Sequence, residues 1–143
     1  MKIHIEIEGQ PTPKGRPRFS RRSGHVYTTK KTRDAESTLK TKINLYKIEN
    51  SLEMIFEPID ISITFFLRRP KYMSTKKYPD EKIPHTKKPD LDNLTKTVLD
   101  SLNGILIGDD SQIYRCQTIK YYTAKNENPK TIIEVEYEKN NNS

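Results

Sequence analysis

The sequence has no tryptophan, and hydrophobic residues make up only 32% of its 143 residues, so whatever core it builds is small beside its charged surface. Pairing of two copies would help such a core. A single cysteine, Cys116, cannot close an internal disulfide, and one thiol suits a reducing compartment. Its expected place is that of a small buried residue. No run approaches the roughly 20 apolar residues that span a bilayer. The nearest, Ile59 to Leu67, is broken by Asp60, Ser62 and Thr64. The start, Met1 to Glu8, alternates isoleucine with polar residues and lacks the apolar centre of a secretory signal, so the expected location is cytoplasmic. Internal repeats and low-complexity linkers are also missing. The expectation is one domain over 1–143, with 139–143 a frayed tail. His4, His25 and His85 have no Ser or Cys motif beside them and read as surface or strand residues. Neither a zinc ligand pattern nor an EF-hand loop is present.

What the chain has in excess is positive charge: 26 Lys and Arg against 19 Asp and Glu, a net +7 that favours an anionic partner, nucleic acid before a membrane surface. Ile3, Ile5 and Ile7 alternate with His4, Glu6 and Glu8 as a strand with one apolar face. Thr29 to about Asn50, with Leu39, Ile43, Leu45, Tyr46 and Ile48 and no internal Gly or Pro, suits an amphipathic helix. Ile59, Ile61, Ile63 and Phe65 mark a second strand, opened by Pro58. Arg68 to Lys88 holds three prolines and no period, a long functional or mobile loop. Ile113 to Tyr122 and Thr131 to Glu138 read as two strands around the turn Lys125 to Pro129. The order strand, helix, strand, helix, strand, strand predicts an α+β fold, a small mixed sheet with two helices on one face.

Two segments carry chemistry. Gln10 to Arg22 has three prolines, five basic residues and Phe19, which predicts an irregular arm. As a solvated loop it would do nothing. Stiffened by proline, it would offer Lys14, Arg16 and Arg18 to phosphates at fixed spacing. The second segment is Lys87-Lys88-Pro89-Asp90-Leu91-Asp92-Asn93-Leu94-Thr95-Lys96, followed by Gly108-Asp109-Asp110-Ser111-Gln112. Pro89 disfavours helix at Lys88, so a helix begins at or just after Asp90, buries Leu91, Leu94, Val98 and Leu102, and stops at Asn103-Gly104. Either Asp90 or Asp92 alone could be a helix cap. A helix of about 12 residues rises roughly 18 Å, and six extended steps of about 3.3 Å from Gly104 return Asp109 or Asp110 to its start. Three carboxylates together would need a cation. Mg²⁺, with Mn²⁺ as substitute, suits an all-oxygen site completed by phosphate. Lys96, one turn from Asp92, is either an ordinary ion pair or a cation for developing charge. Asp100 reads as plain surface, and Lys87 and Lys88 as DNA contacts.

These residues resemble a known family, the RusA-type Holliday junction resolvases of phages, prophages and bacteria. The resemblance lies in Lys88-Pro89-Asp90-Leu91-Asp92-Asn93-Leu94 with Lys96, Leu99-Asp100-Ser101-Leu102-Asn103-Gly104, Asp109-Asp110-Ser111-Gln112-Ile113 and the arm Pro13 to Phe19. It implies a homodimeric, Mg²⁺-dependent endonuclease that nicks four-way DNA junctions symmetrically in recombination and repair. Asp90, Asp92 and Asp110 would carry the essential carboxylates, with Asp109 as the alternative to Asp110, and Lys96 the essential lysine. Gly108 departs from the bulkier residue the resemblance leads one to expect. The rival readings are a non-catalytic nucleic-acid-binding module and a nuclease of different branch specificity.

Overall fold

Ile3, Ile5 and Ile7 turn inward along β1 (Lys2–Glu8), as their alternation predicts. The computed structural model describes residues 1–14, 18–27 and 30–139. After a two-stranded hairpin, β2 (Arg18–Phe19) and β3 (Val26–Tyr27), come α1 (Lys30–Glu49), β4 (Ile59–Leu67), β5 (Ile83–Pro84), α2 (Leu91–Leu102), β6 (Ile113–Tyr122) and β7 (Lys130–Glu136). Five strands form one mixed sheet in the order β1-β7-β4-β6-β5, with β4 and β6 parallel and the other neighbours antiparallel. This is the α+β architecture expected, with the hairpin where an irregular arm was expected. Two-residue strands are too short to leave a period in the sequence.

β4 lies at the centre of the core, with Ile59, Ile61, Ile63, Phe65 and Leu67 all facing inward. Ile5, Ile133 and Ile63 lie side by side across β1, β7 and β4, and Ile43, Leu94, Val98 and Leu102 from the two helices pack into the same cluster. Each such side chain removed from water contributes about 1.5–3 kcal/mol. α1 buries Ile43 and partly covers Leu39 and Tyr46, but Leu45 and Ile48, expected on that apolar stripe, are exposed. The helix is fastened by polar contacts as well: the Tyr46 hydroxyl donates to the His4 carbonyl, and Lys42 Nζ donates to the Glu8 carbonyl at 2.7 Å. Both carbonyls belong to the edge strand β1, so two of its outward groups are paired.

The segment from Arg68 to Lys88 is tied down more firmly than its composition suggests. Arg69 is buried and its guanidinium donates to the carbonyls of Thr123 (2.7 Å), Met73 (2.9 Å) and Glu81. Lys125 Nζ donates to the Thr75 and Tyr78 carbonyls and pairs with Asp80 at 3.0 Å. Arg69→Leu leaves three carbonyls without their donor, so chemical denaturation should show a loss of at least about 3 kcal/mol, given 1–3 kcal/mol for each buried polar group left unpaired. An unchanged midpoint would mean that Arg69 is not what holds the loop. Among the described residues no helix is long and apolar enough to cross a membrane. Of the expected frayed tail, residues 140–143 lie outside the described residues.

Candidate active site

The acidic motif is delivered by β5, which pairs only with Tyr121 and Tyr122 at the far end of β6. His85 follows, donating its backbone N–H to the Lys120 carbonyl at 3.0 Å and placing its ring 4.1 Å from that of Tyr122. It is buried, where a surface or strand residue was expected, and burial together with the nearby Lys120 charge keeps its pKa below the usual histidine value. Its Nδ1 accepts from the Lys87 N–H at 3.3 Å. Lys120 then reaches across, donating Nζ to the carbonyls of Lys87 (2.6 Å) and Pro89 (2.7 Å). Burial lowers its pKa. Lys120 therefore shapes the approach to the acids, a part that sequence reasoning missed. Its signal was a lysine on the inward pleat of β6, between Thr118 and Tyr122, where apolar or small side chains are the norm.

Asp90 occupies the N-cap position of α2 but makes no capping hydrogen bond. Its carboxylate is half exposed and lies 3.3 Å from the ammonium of Lys88, which is itself almost fully exposed. Asp92 is exposed in the first helical turn, and among the described residues its carboxylate accepts only from the neighbouring Asn93 N–H, at Oδ1 and 2.9 Å. Two carboxylates thus stand at a helix N-terminus, where the backbone dipole favours anions, with most of their hydrogen-bonding capacity open. Lys87, Lys88, Asp90 and Lys120 line an open groove of about 800 Å³ along the edge of β6.

The second acidic pair divides in two. Asp109 caps the short 3₁₀ turn Asp110–Gln112: its Oδ2 accepts from the Ser111 N–H at 3.1 Å, and Gln112 Oε1 accepts from the Asp109 N–H at 2.8 Å. The Ser111 hydrogen bonds hold its carboxyl below the usual aspartate pKa. Gln112 locks the turn further by donating Nε2 to the carbonyls of Ile55 and Glu57, each at 3.0 Å. Asp110 is exposed, with no side-chain partner among the described residues. The missing side chain of Gly108 is explained locally, because a Cβ there would come within 2.9 Å of the Phe56 ring and of Gln112 Oε1.

The extended return from Gly104 is not observed. Gly104, at φ +77°, instead opens a tight turn in which the Leu106 and Ile107 N–H groups bond the Leu102 carbonyl and Gly104 N–H bonds Ile107 O. Ile107 bridges to Ile55, so the chain becomes free to extend only near Gly108. The turn Asp110–Gln112 does touch α2. Among the described residues, however, no three of His, Cys, Asp and Glu are gathered closely enough to hold a metal ion by themselves. The donors that are open, Asp90, Asp92 and Asp110, offer hard carboxylate oxygens. They fit a cation that takes one or two carboxylates at a time and completes its shell with water and phosphate, and they do not form a closed protein cage.

Lys96 is exposed and forms no ion pair with Asp92 or hydrogen bond with another described residue. Lys14, expected to face phosphate, is otherwise engaged: its ammonium lies 2.5 Å from Asp100 and 3.4 Å from Glu36, and its N–H donates to the Asn93 carbonyl. The hydrogen bond with Asp100 is the main reason its pKa is raised. Asp100 is thus no idle surface acid, and Lys14 fastens the arm to α2. Arg16 lies outside the described residues, as does the side chain of Arg18. At the hairpin turn Arg21 and Arg22 are exposed. Cys116, expected to be buried, is exposed on β6.

The family profile described as Endodeoxyribonuclease RusA matches residues 8–136. A Bacillus subtilis (strain 168) protein, "Uncharacterized protein YqaN", is 32% identical over 129 residues, 85% of this chain and 88% of its own length. The matched span runs from the end of β1 to the last residue of β7 and takes in the groove, both acidic segments and Lys96, so this endonuclease belongs to the RusA endodeoxyribonuclease family.

Proposed function

We infer that the enzyme is a homodimer that resolves four-way DNA junctions by paired symmetric nicks, using Mg²⁺ with Mn²⁺ as substitute, in DNA recombination and repair. The observation that carries this reading is Asp90 at the N-cap of α2 with its carboxylate unused for capping, beside Asp92 and a groove walled by Lys87 and Lys88. Asp90, Asp92 and Asp110 would supply the carboxylates for the metal, one or two of them at a time, with water and phosphate completing its shell. When bound, Mg²⁺ supplies an acidified water and polarises the phosphoryl oxygen. Lys87 and Lys88 bind phosphates flanking the cut, Lys96 stabilises the charge that develops on the phosphoryl group, and Asp109 keeps the turn that presents Asp110. Arg16 and Arg18, joined by Arg21 and Arg22 at the hairpin turn, grip the backbone further out.

Twofold symmetry would let two such sites cut opposed strands of one junction. The test compares a four-way junction with linear duplex of the same sequence in Mg²⁺. The junction should be nicked on opposed strands far faster. Equal rates would leave a DNA nuclease without junction selectivity. In Ca²⁺, whose larger and looser shell orients water poorly, binding should persist without cutting.

A further inference from the structure

The sheet has a second face. Opposite the helices, the register places four residues in a row at one end, Lys2, Glu136, Asp60 and Arg115, and four at the other, Glu8, Lys130, Phe66 and Tyr121. Between them the central strand β4 carries only the small Ser62 and Thr64. Among the described residues no helix covers this face, since the apolar residues of α1 and α2 join the cluster on the other side. Phe66 and Tyr121 are stacked at 5.7 Å, with Lys130 over Phe66 and Lys82 over Tyr121.

DNA is the wrong occupant. In a chain of net charge +7, the strands show this face three Lys and Arg, namely Lys2, Arg115 and Lys130, against the five carboxylates of Glu6, Glu8, Asp60, Glu134 and Glu136. We propose that it binds the same face of a second copy of the chain, about a twofold axis that lies between the two sheets and runs across the strands. The proposal rests on the homodimer reading and names its interface.

The charges select that axis. Running across the strands, it exchanges the two end rows within each strand. Lys2 then faces Glu8 of the partner subunit, Glu136 faces Lys130 of the partner subunit, Arg115 faces the ring of Tyr121 of the partner subunit, and Asp60 faces Phe66 of the partner subunit, so no two like charges meet. An axis parallel to the strands would exchange strands instead. It would set Lys2 against Arg115 of the partner subunit and Glu136 against Asp60 of the partner subunit, like charge on like. Packed sheets stand about 10 Å apart and cross at about 30°. That angle displaces end rows, which are roughly 10 Å from the centre, by about 5 Å, a gap that Lys and Glu side chains span. Small residues at Ser62 and Thr64 let the sheets approach at the middle.

Sedimentation of wild type, Lys130→Glu and Glu136→Lys decides it, with circular dichroism to verify folding. Wild type should be dimeric. Each variant alone puts like charges together twice and should weaken the dimer at least about tenfold, because facing like charges cost several kcal/mol. An equimolar mixture of the two variants should dimerise again, because in the mixed pair both contacts are opposite in sign. A folding defect would not be repaired by mixing. If wild type is monomeric at every concentration, the dimer reading itself fails. If wild type and both variants dimerise equally, the dimer stands but this face is not its interface, and the open edge of β6 becomes the place to look. If both variants are monomeric and the mixture stays so, the proposed pairing of end rows is overturned.

Discussion

Asp110→Asn should bind a four-way junction at least as well as wild type and fail to cut it, whereas Asp109→Asn should still cut. The two acids are neighbours in sequence but have different surroundings. Asp109 spends its carboxylate on the Ser111 N–H and takes part in a reciprocal cap with Gln112, so its loss loosens a turn. Asp110 has no side-chain partner among the described residues, and its carboxylate remains open to a cation. Loss of even an outer partner of a metal ligand costs about 10–100-fold in affinity or activity, so loss of a ligand should cost more than about 100-fold in turnover. Binding should not fall with it. Removing a negative charge near phosphate reduces repulsion, and the backbone contacts that dominate affinity are elsewhere. Asp90→Asn should match Asp110→Asn. Cleavage and gel-shift assays on one synthetic junction read both quantities. Full-rate cutting by Asp110→Asn together with loss of cutting by Asp109→Asn would reverse the assignment, and full-rate cutting by both would remove this turn from the chemistry.

The strands and helices were legible because each carries its own period. Ile59 to Leu67 alternates without a break, and Leu94, Val98 and Leu102 recur at helical spacing after a proline and before Asn103-Gly104. The arm failed on both counts. A hairpin of two-residue strands has no period, and the partner of Lys14 is 86 residues away at Asp100, a separation no local pattern reports. The same holds for Lys120, whose bonds to the Lys87 and Pro89 carbonyls depend on β5 laying that segment beside β6. The residue types proposed for the site, carboxylates beside lysines in a basic chain, were visible in the sequence. Their spacing was not, because an extended return from Gly104 was assumed where the backbone turns back on the helix end. A sequence gives the length of a connection more readily than its direction.

Lys96→Ala should lose turnover of bound junction by about 10²–10³-fold, the usual cost of removing one group that stabilises transition-state charge, while its dissociation constant changes little. The alternative for a lysine one turn from Asp92 was an ordinary helix ion pair. The structure does not form it, which leaves the ammonium exposed and, among the described residues, unpaired on the face that carries Asp92. A charge needed only where negative charge develops acts on the transition state and not on the ground state. Arg16→Ala with Arg18→Ala should behave in the opposite way. Each cation withdrawn from a phosphate should lower the slope of log affinity against log salt by about one unit, so the double variant should bind more weakly and with less salt dependence. Lys14 does not belong in that set, because replacing it would unpair Asp100 and detach the arm from α2. Single-turnover cleavage at saturating enzyme separates the two roles, since saturation cancels affinity and leaves only the bound-state rate. The arm variant should recover there and Lys96→Ala should not. Recovery of Lys96→Ala at saturation would make it one more phosphate-binding lysine, and the charge in the transition state would then have to be met by Lys87, Lys88 or the metal alone.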